Sequence, residues 1–276
     1  MSRFRSAART DVGMKREHNE DSFLVNEELG LYVICDGMGG HAGGETASRL
    51  AVQTVEKELI SARLRADDPF ASTAGYQDTP LARAMVEAIE GACGVVYRTS
   101  RIQPELQGMG TTCIALVLHR DIAVVGHVGD SRAYLVREGA IIQLTDDHSL
   151  VNEQVRAGIL TAEEAKHSRL RNIITRSVGF EEDVLVDVIG FESKPGDRFL
   201  LCSDGLSNLV ETDEIRVALG AATPDEVCKS LITTANERGG DDNITEVAVE
   251  RVERGKPRGV SEDGGRRREI PVNTCR

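Results

Sequence analysis

Between Leu31 and Ser48 the chain reads LYVICDGMGGHAGGETAS, a stretch that leaves little freedom to the fold around it. Leu31 to Cys35 form an apolar run too short for a globular helix and of the right length for a buried strand. The run stops at Asp36, and Gly37, Met38, Gly39, Gly40 and His41 follow. From Glu45 onward, Ala47, Ala51, Val55 and Leu59 recur every four residues, the stripe of an amphipathic helix. The pattern predicts a carboxylate at the end of a core strand, held by a turn that only glycines can make. A bland turn seldom combines an Asp, a His and several glycines, so the stretch reads as a metal or phosphate site.

The rest of the chain supplies strands and paired helices around it. Residues 1–30 hold two short strand-like pieces on either side of the polar turn DVGMKREHNEDS. Two helices are expected from Glu45 to about Arg65 and from Leu81 to about Ser100. The second carries a stripe of Leu81, Met85, Ala88, Ala92 and Val95. Asp67 to Thr79, polar and turn-rich, reads as a surface loop. From Gly108 to Leu144 the closely spaced runs TTCIALVLH, DIAVVGHVG, RAYLVRE and AIIQLT predict an antiparallel meander. Ser149 to about Leu170 is polar with weak helical periodicity, an excursion from the core. Strands return at VLVDVIGF and RFLLCSD, helices near Asp213–Leu219 and Pro224–Glu237, and a final strand at ITEVAVERV. Strands with helices in pairs, and few βαβ units, indicate an α+β fold. Residues 1–254 are expected to form one domain, and 255–276, glycine-rich and without periodicity, a flexible polar tail.

A net charge of −12 over 276 residues argues against nucleic acid or an anionic membrane as the main partner. Six cysteines are scattered with no C-x-x-C pair, which disfavours a disulfide framework or a zinc site. The N-terminus MSRFRSAART has no apolar core of a signal peptide, so the expected location is cytoplasmic.

Asp36, Asp130, Asp204 and Asp242 share one context, in VICDGMGG, HVGDSRAY, LLCSDGLSN and RGGDDNITEV. Each adjoins an apolar run and a glycine or sharp turn. Glu20 and Asp21 add two carboxylates at the start of another run. Any one of these could merely cap a turn. Brought together, they would repel one another severely without a cation. Hard oxygen ligands select magnesium, manganese or calcium over zinc. Two such ions about 3.5–4 Å apart would acidify a bridging water, machinery that suits hydrolysis of a phosphoester. An arginine fork would hold the phosphate. Arg16 is the natural candidate, with Arg132 and Arg176 behind it. A nucleotide cradle lacks its G-K-[ST] or G-x-G-x-x-G, and a serine nucleophile lacks its G-x-S-x-G elbow.

These pieces resemble the metal-dependent Ser/Thr protein phosphatases of type 2C, in their compact bacterial form. The likeness runs from Ala7 to about Val252. It rests on RxxNEDS (Arg16–Ser22), DGMGGHxGGExAS (Asp36–Ser48), GMGTT (Gly108–Thr112) and VGDSRAYL (Val128–Leu135). LTDDHSLV (Leu144–Val151), RNIITRSVG (Arg171–Gly179), LLCSDGL (Leu200–Leu206) and GGDDNIT (Gly239–Thr245) complete the order.

The resemblance implies a four-layer α-β-β-α sandwich of two antiparallel sheets flanked by helix pairs, with the metals at one end. It implies hydrolysis of protein phosphoserine and phosphothreonine by a hydroxide bridging two manganese or magnesium ions, with a third, weaker ion beside them. Asp36 would bridge the two ions, and the carbonyl of Gly37 would bind one of them. Asp204 and Asp242 would complete the second site. Glu20 would ligate directly and Asp21 through water. Asp130 would serve the third ion, Arg16 would clamp the phosphate, and 152–171 would form a flap. His41 would be the candidate proton donor, three residues later than in animal relatives, where a His follows the Asp-Gly pair and Met38 stands here. His148 would be structural. Phosphoprotein substrates are the implied partners, placing the enzyme, as a monomer, opposite a bacterial Ser/Thr kinase. A non-catalytic phosphoprotein-binding relative, or hydrolysis of small phosphoesters, would be the rival.

Overall fold

In a computed structural model of the chain, residues 4–65 and 79–252 are described, apart from the side chains of His41, Leu64 and Arg65. The loop expected over 67–79, except Thr79, and the tail expected over 255–276 lie outside the described residues.

The chain opens with β1 (Phe4–Asp11), β2 (Asp21–Asn26) and β3 (Leu31–Met38), then the long helices α1 (His41–Arg65) and α2 (Pro80–Ile102). Short β4 (Gly110–Thr111) precedes β5 (Cys113–His119), β6 (Ile122–Val128), β7 (Arg132–Arg137) and β8 (Ala140–Gln143). The excursion contains α3 (Leu150–Arg156) and α4 (Ala162–Lys166). There follow β9 (Asp187–Glu192), β10 (Arg198–Cys202), α5 (Asp204–Ser207), α6 (Thr212–Ala221), α7 (Pro224–Glu237) and β11 (Ile244–Arg251).

Two sheets result, one ordered β1-β11-β10-β7-β8 and the other β2-β3-β5-β6-β9, with β4 added beside β3. Every pairing is antiparallel. Side chains alternate across a strand, and β3 uses both faces. Leu31, Val33 and Cys35 pack with α1 and α2, whereas Tyr32 and Ile34 pack against the other sheet. This double burial explains why the run has no polar member. On the far side, Leu200 and Cys202 of β10 and Ile244 and Ala248 of β11 meet Ile215, Leu219, Val227 and Leu231 of α6 and α7. The layers are therefore helix pair, sheet, sheet, helix pair, as the resemblance implied.

The helix stripes fall where expected. Ala47, Ala51, Val55 and Leu59 are buried on α1, and Leu81, Met85, Ala88 and Ala92 on α2, with Val96 rather than Val95 closing the second. α1 starts at His41, ahead of the expected Glu45. Its first turn takes Gly43 and Gly44, whose amides donate to the Gly40 carbonyl.

The expected meander is the main correction. β5 and β6 pair in one sheet and β7 and β8 in the other. The crossing occurs at Gly129, which has φ +111. That left-handed backbone swings the chain across the seam between the sheets and delivers Asp130 there. Among the cysteines, Cys35, Cys93, Cys113, Cys202 and Cys228 are free and buried, small core residues as anticipated. No helix among the described residues is long and apolar enough to cross a membrane.

Candidate metal centre

The strand ends that carry the acidic motifs meet at one end of the sandwich. Arg16, Glu20, Asp36, Gly37, Asp130, Asp204 and Asp242 line a single open cleft of about 630 Å³. Asp21 lies just beneath it, buried, as the cross-strand partner of Asp36. The cleft thus gathers every carboxylate the sequence singled out.

Asp36 is held by its own backbone. Its amide donates to Thr112 Oγ1 at 2.9 Å, and its carbonyl accepts from Thr112 N and Thr111 Oγ1, each at 2.8 Å. Thr112 Oγ1 is in turn 2.8 Å from Ser131 Oγ, the neighbour of Asp130. Gly37 has no room for a side chain: a Cβ there would stand 2.1 Å from the Gly44 carbonyl oxygen and 2.6 Å from that of Glu20. Gly37 and Gly44 are therefore demanded by the close approach of α1 to the Glu20 loop.

The loop bearing Arg16 and Glu20 is pinned from the far end of the chain. Asn243 accepts from the Glu20 amide at 2.8 Å and donates to the Val12 and His18 carbonyls at 3.0 and 2.9 Å. Ser203 Oγ donates to Asp21 Oδ2 at 2.9 Å. Arg16 Nη2 donates to Asp242 Oδ2 at 2.6 Å, so this arginine stands at the cleft edge. The other two candidates are engaged elsewhere. Arg132 forks onto Asp147 with contacts of 2.6 to 3.0 Å. Arg176 donates to Asp187 Oδ1 at 2.7 Å. The backbone of His41 opens α1, but its side chain lies outside the described residues.

Electrostatics show what the cluster lacks. Burial, reinforced by Asp21, Asp204, Asp130 and Asp242, lifts the Asp36 carboxyl well above the usual range. Burial likewise raises Asp21 to about 7, Asp130 to about 8 and Asp204 to about 6, with neighbouring carboxylates adding to each. Asp21 Oδ1, Asp130 Oδ1 and Asp204 Oδ1 are buried without a hydrogen-bond partner. Buried acceptors are ordinarily satisfied. Three orphaned carboxylate oxygens at one cleft fit a hard divalent cation, which would complete their coordination and favour their charged forms. Among the described residues, no three acidic, histidine or cysteine side chains stand close enough together to hold an ion as they are placed, so ion binding would draw these carboxylates inward.

The sequence reading gave no part to Thr111, Thr112, Ser131, Ser203 or Asn243. All but Ser131 and Ser203 were visible as polar residues in GMGTT and GGDDNIT, and those two sat beside Asp130 and Asp204. Their spacing carried no hint of the strands they tie together.

Residues 14–246 match the protein phosphatase 2C family. The chain belongs to that family. It is 37% identical to the Serine/threonine phosphatase stp of Listeria monocytogenes, over 88% of this chain and 94% of that protein. It is 36% identical to the Serine/threonine protein phosphatase PstP of Mycobacterium tuberculosis, over 90% of this chain and 45% of that longer protein. The crystal structure of PstP from M. tuberculosis superposes with a TM-score of 0.80 at 35% identity, covering 91% of this chain and 99% of that one. A structure of the PstP catalytic domain in complex with two manganese ions matches with a TM-score of 0.75 at 35% identity, covering 91% and 99%. This type 2C phosphatase is a metal-dependent protein serine/threonine phosphatase of bacterial type.

Proposed function

We propose that the cleft hydrolyses phosphoserine and phosphothreonine on proteins with Asp36 at its centre, and that each carboxylate has a distinct part. Two divalent ions would be held with Asp36 shared between them, the Gly37 carbonyl and Glu20 serving the first and Asp204 and Asp242 the second. Asp21 would act from beneath through water, and Asp130 would serve a weaker third ion. The observation that carries this reading is the set of mutually repelling carboxylates in and just beneath one cleft, three of them with a buried, unpartnered oxygen. Manganese suits the site on the strength of the PstP structure with two manganese ions.

When bound, the ions supply an acidified water as nucleophile and offset charge on the phosphoryl oxygens. The chain's own residues do the rest. Thr111 and Thr112 fix the Asp36 backbone, so the carboxylate is oriented before substrate arrives. Arg16 is paired with an anionic oxygen at the cleft edge, and a phosphate offers the same fork geometry, so the guanidinium is placed to exchange partners. His41, the residue after the cleft-lining Gly40, would give a proton to the departing alkoxide. Phosphoserine and phosphothreonine are made by kinases, so a Ser/Thr kinase acts upstream of this enzyme.

Phosphate release from a phosphothreonine peptide, measured with manganese and with chelator, tests the reading. Wild type should turn over with manganese and stop with chelator. Asp36→Asn should fall by at least about a hundredfold, as a bridging ligand is lost. Turnover that survives chelation would refute the metal assignment.

A further inference from the structure

His148 lies in LTDDHSLV, apart from the carboxylate motifs, and is almost fully buried. Two of its contacts fall on one neighbour. The His148 amide donates to the Gly129 carbonyl at 2.8 Å, and the Gly129 amide donates to His148 Nδ1 at 3.0 Å. One residue thus satisfies both main-chain groups of the glycine that precedes Asp130. Gly129 needs such restraint, because it sits at φ +111 where the chain crosses between sheets.

The ring itself is oriented from the other side. With Nδ1 accepting, the neutral ring carries its proton on Nε2, which lies 3.0 Å from Asp187 Oδ2 and also 3.0 Å from Arg176 Nη1; of the two, only the carboxylate can accept that proton. Arg176 Nη1 holds the other oxygen of Asp187 at 2.7 Å. The ring of His127 covers one face, with centroids 4.7 Å apart. His148 also marks the base of the 149–170 excursion. Its carbonyl accepts from Thr175 N at 2.9 Å, and Ser149 bridges Ile174, a residue of the cleft wall.

We propose that His148 is a positioning residue of this site: through Nδ1 and its main chain it sets the Gly129–Asp130 turn, and through Nε2 it ties that turn to Asp187 and the excursion base. The inference rests on the reading of Asp130 as a cation ligand. Asp130 Oδ1 is buried without a hydrogen-bond partner, and the turn that carries it is held on one side by Ser131, whose Oγ meets Thr112, and on the other by His148 at Gly129. Its aim depends on the turn, and the turn depends on His148. Loss of the Nδ1 acceptor should therefore weaken the cation site that Asp130 serves and leave the Asp36 site intact.

Asparagine and glutamine separate the two ring nitrogens. His148→Asn keeps an oxygen near the Nδ1 position, and His148→Gln keeps a polar group near Nε2 only. Manganese binding to the folded full chain would be followed by calorimetry, beside turnover of a phosphothreonine peptide against manganese concentration. His148→Gln should weaken the weakest class of manganese site by roughly tenfold, the scale of losing a residue behind a metal ligand. It should raise the manganese needed for half-maximal turnover similarly and leave peptide KM unchanged. His148→Asn should stay within about threefold of wild type. Asp187→Ala, half-exposed at a strand start and therefore safe for folding, should shift the same site in the same direction. Equal loss in the Asn and Gln variants would mean the ring only fills space, and unchanged manganese binding in Gln and Asp187→Ala would overturn the inference. Absence of turnover in wild type would refute the phosphatase reading, while calorimetry would still decide the role of His148.

Discussion

Glu246 sits on the face of β11 that packs against α7, between Ile244 and Ala248, fully buried, with neither carboxyl oxygen hydrogen-bonded. Burial pushes its pKa well above the ordinary carboxylate value. The folded chain then holds a proton that the unfolded chain releases near pH 4.3. Stability from this group is complete below that value and is lost as pH rises through the folded pKa. Between the two, wild type should lose roughly 1.4 kcal/mol per pH unit relative to Glu246→Gln. Urea midpoints from pH 5 to 9 for the pair would show a gap widening with pH in favour of Gln. A constant gap would mean that Glu246 finds a partner. At this scale the sequence disclosed acids more readily than their supports. Asp beside Gly at the end of an apolar run is a local pattern, visible in any window that contains it. Thr112, Asn243 and His148 act on Asp36, Glu20 and Gly129, partners remote in sequence, so nothing local marks them.

The β6–β7 crossing is the element on which the site turns. A Cβ at Gly129 would lie 2.6 Å from Thr112 Cγ2, and the backbone there is left-handed. Gly129→Ala should cost about 3 kcal/mol through strain and overpacking. It should also slow turnover, because Thr112 cannot retreat without releasing the Asp36 amide. Urea unfolding and kcat measured together would check this. A stability loss with undiminished kcat would separate the crossing from the chemistry. Helix ends were legible for α2 and α7, which fall within two residues of expectation, but α1 begins four residues early at His41, and Thr79, expected in the loop, caps α2 ahead of Pro80. The assignment of strands to sheets was not legible. β5 to β8 are joined by similar short turns, and a left-handed glycine does not single out the crossing, since Gly139 between the paired β7 and β8 is left-handed too.

For the molecule as a whole, the metal centre opposes the fold until it is filled. Asp21, Asp130 and Asp204 have folded pKa values of about 7, 8 and 6, all above the unfolded value. Without cations, stability should fall as pH rises from about 4 through these values. Cations favour the charged forms and reverse the trend. Melting midpoints in chelator should drop between pH 6 and 8.5, and the upward shift with manganese should grow over the same range. At a hundredfold excess over Kd the stabilisation is about 2.7 kcal/mol, or roughly 5–10 °C for a chain of this size. A manganese shift independent of pH would mean that the ions displace no protons. The four-layer architecture was legible once the motifs had been matched to a family; composition and periodicity reached only as far as strands with paired helices. One feature of the sheet order reaches into synthesis. β11 lies between β1 and β10, with Phe4 opposite Arg251. During synthesis β1 must wait, without a strand partner, for β11, the last of the described strands. Arg16 and Asp242 meet only then, so a nascent chain can acquire neither a closed sheet nor a working cleft before nearly all of the described fold has been translated.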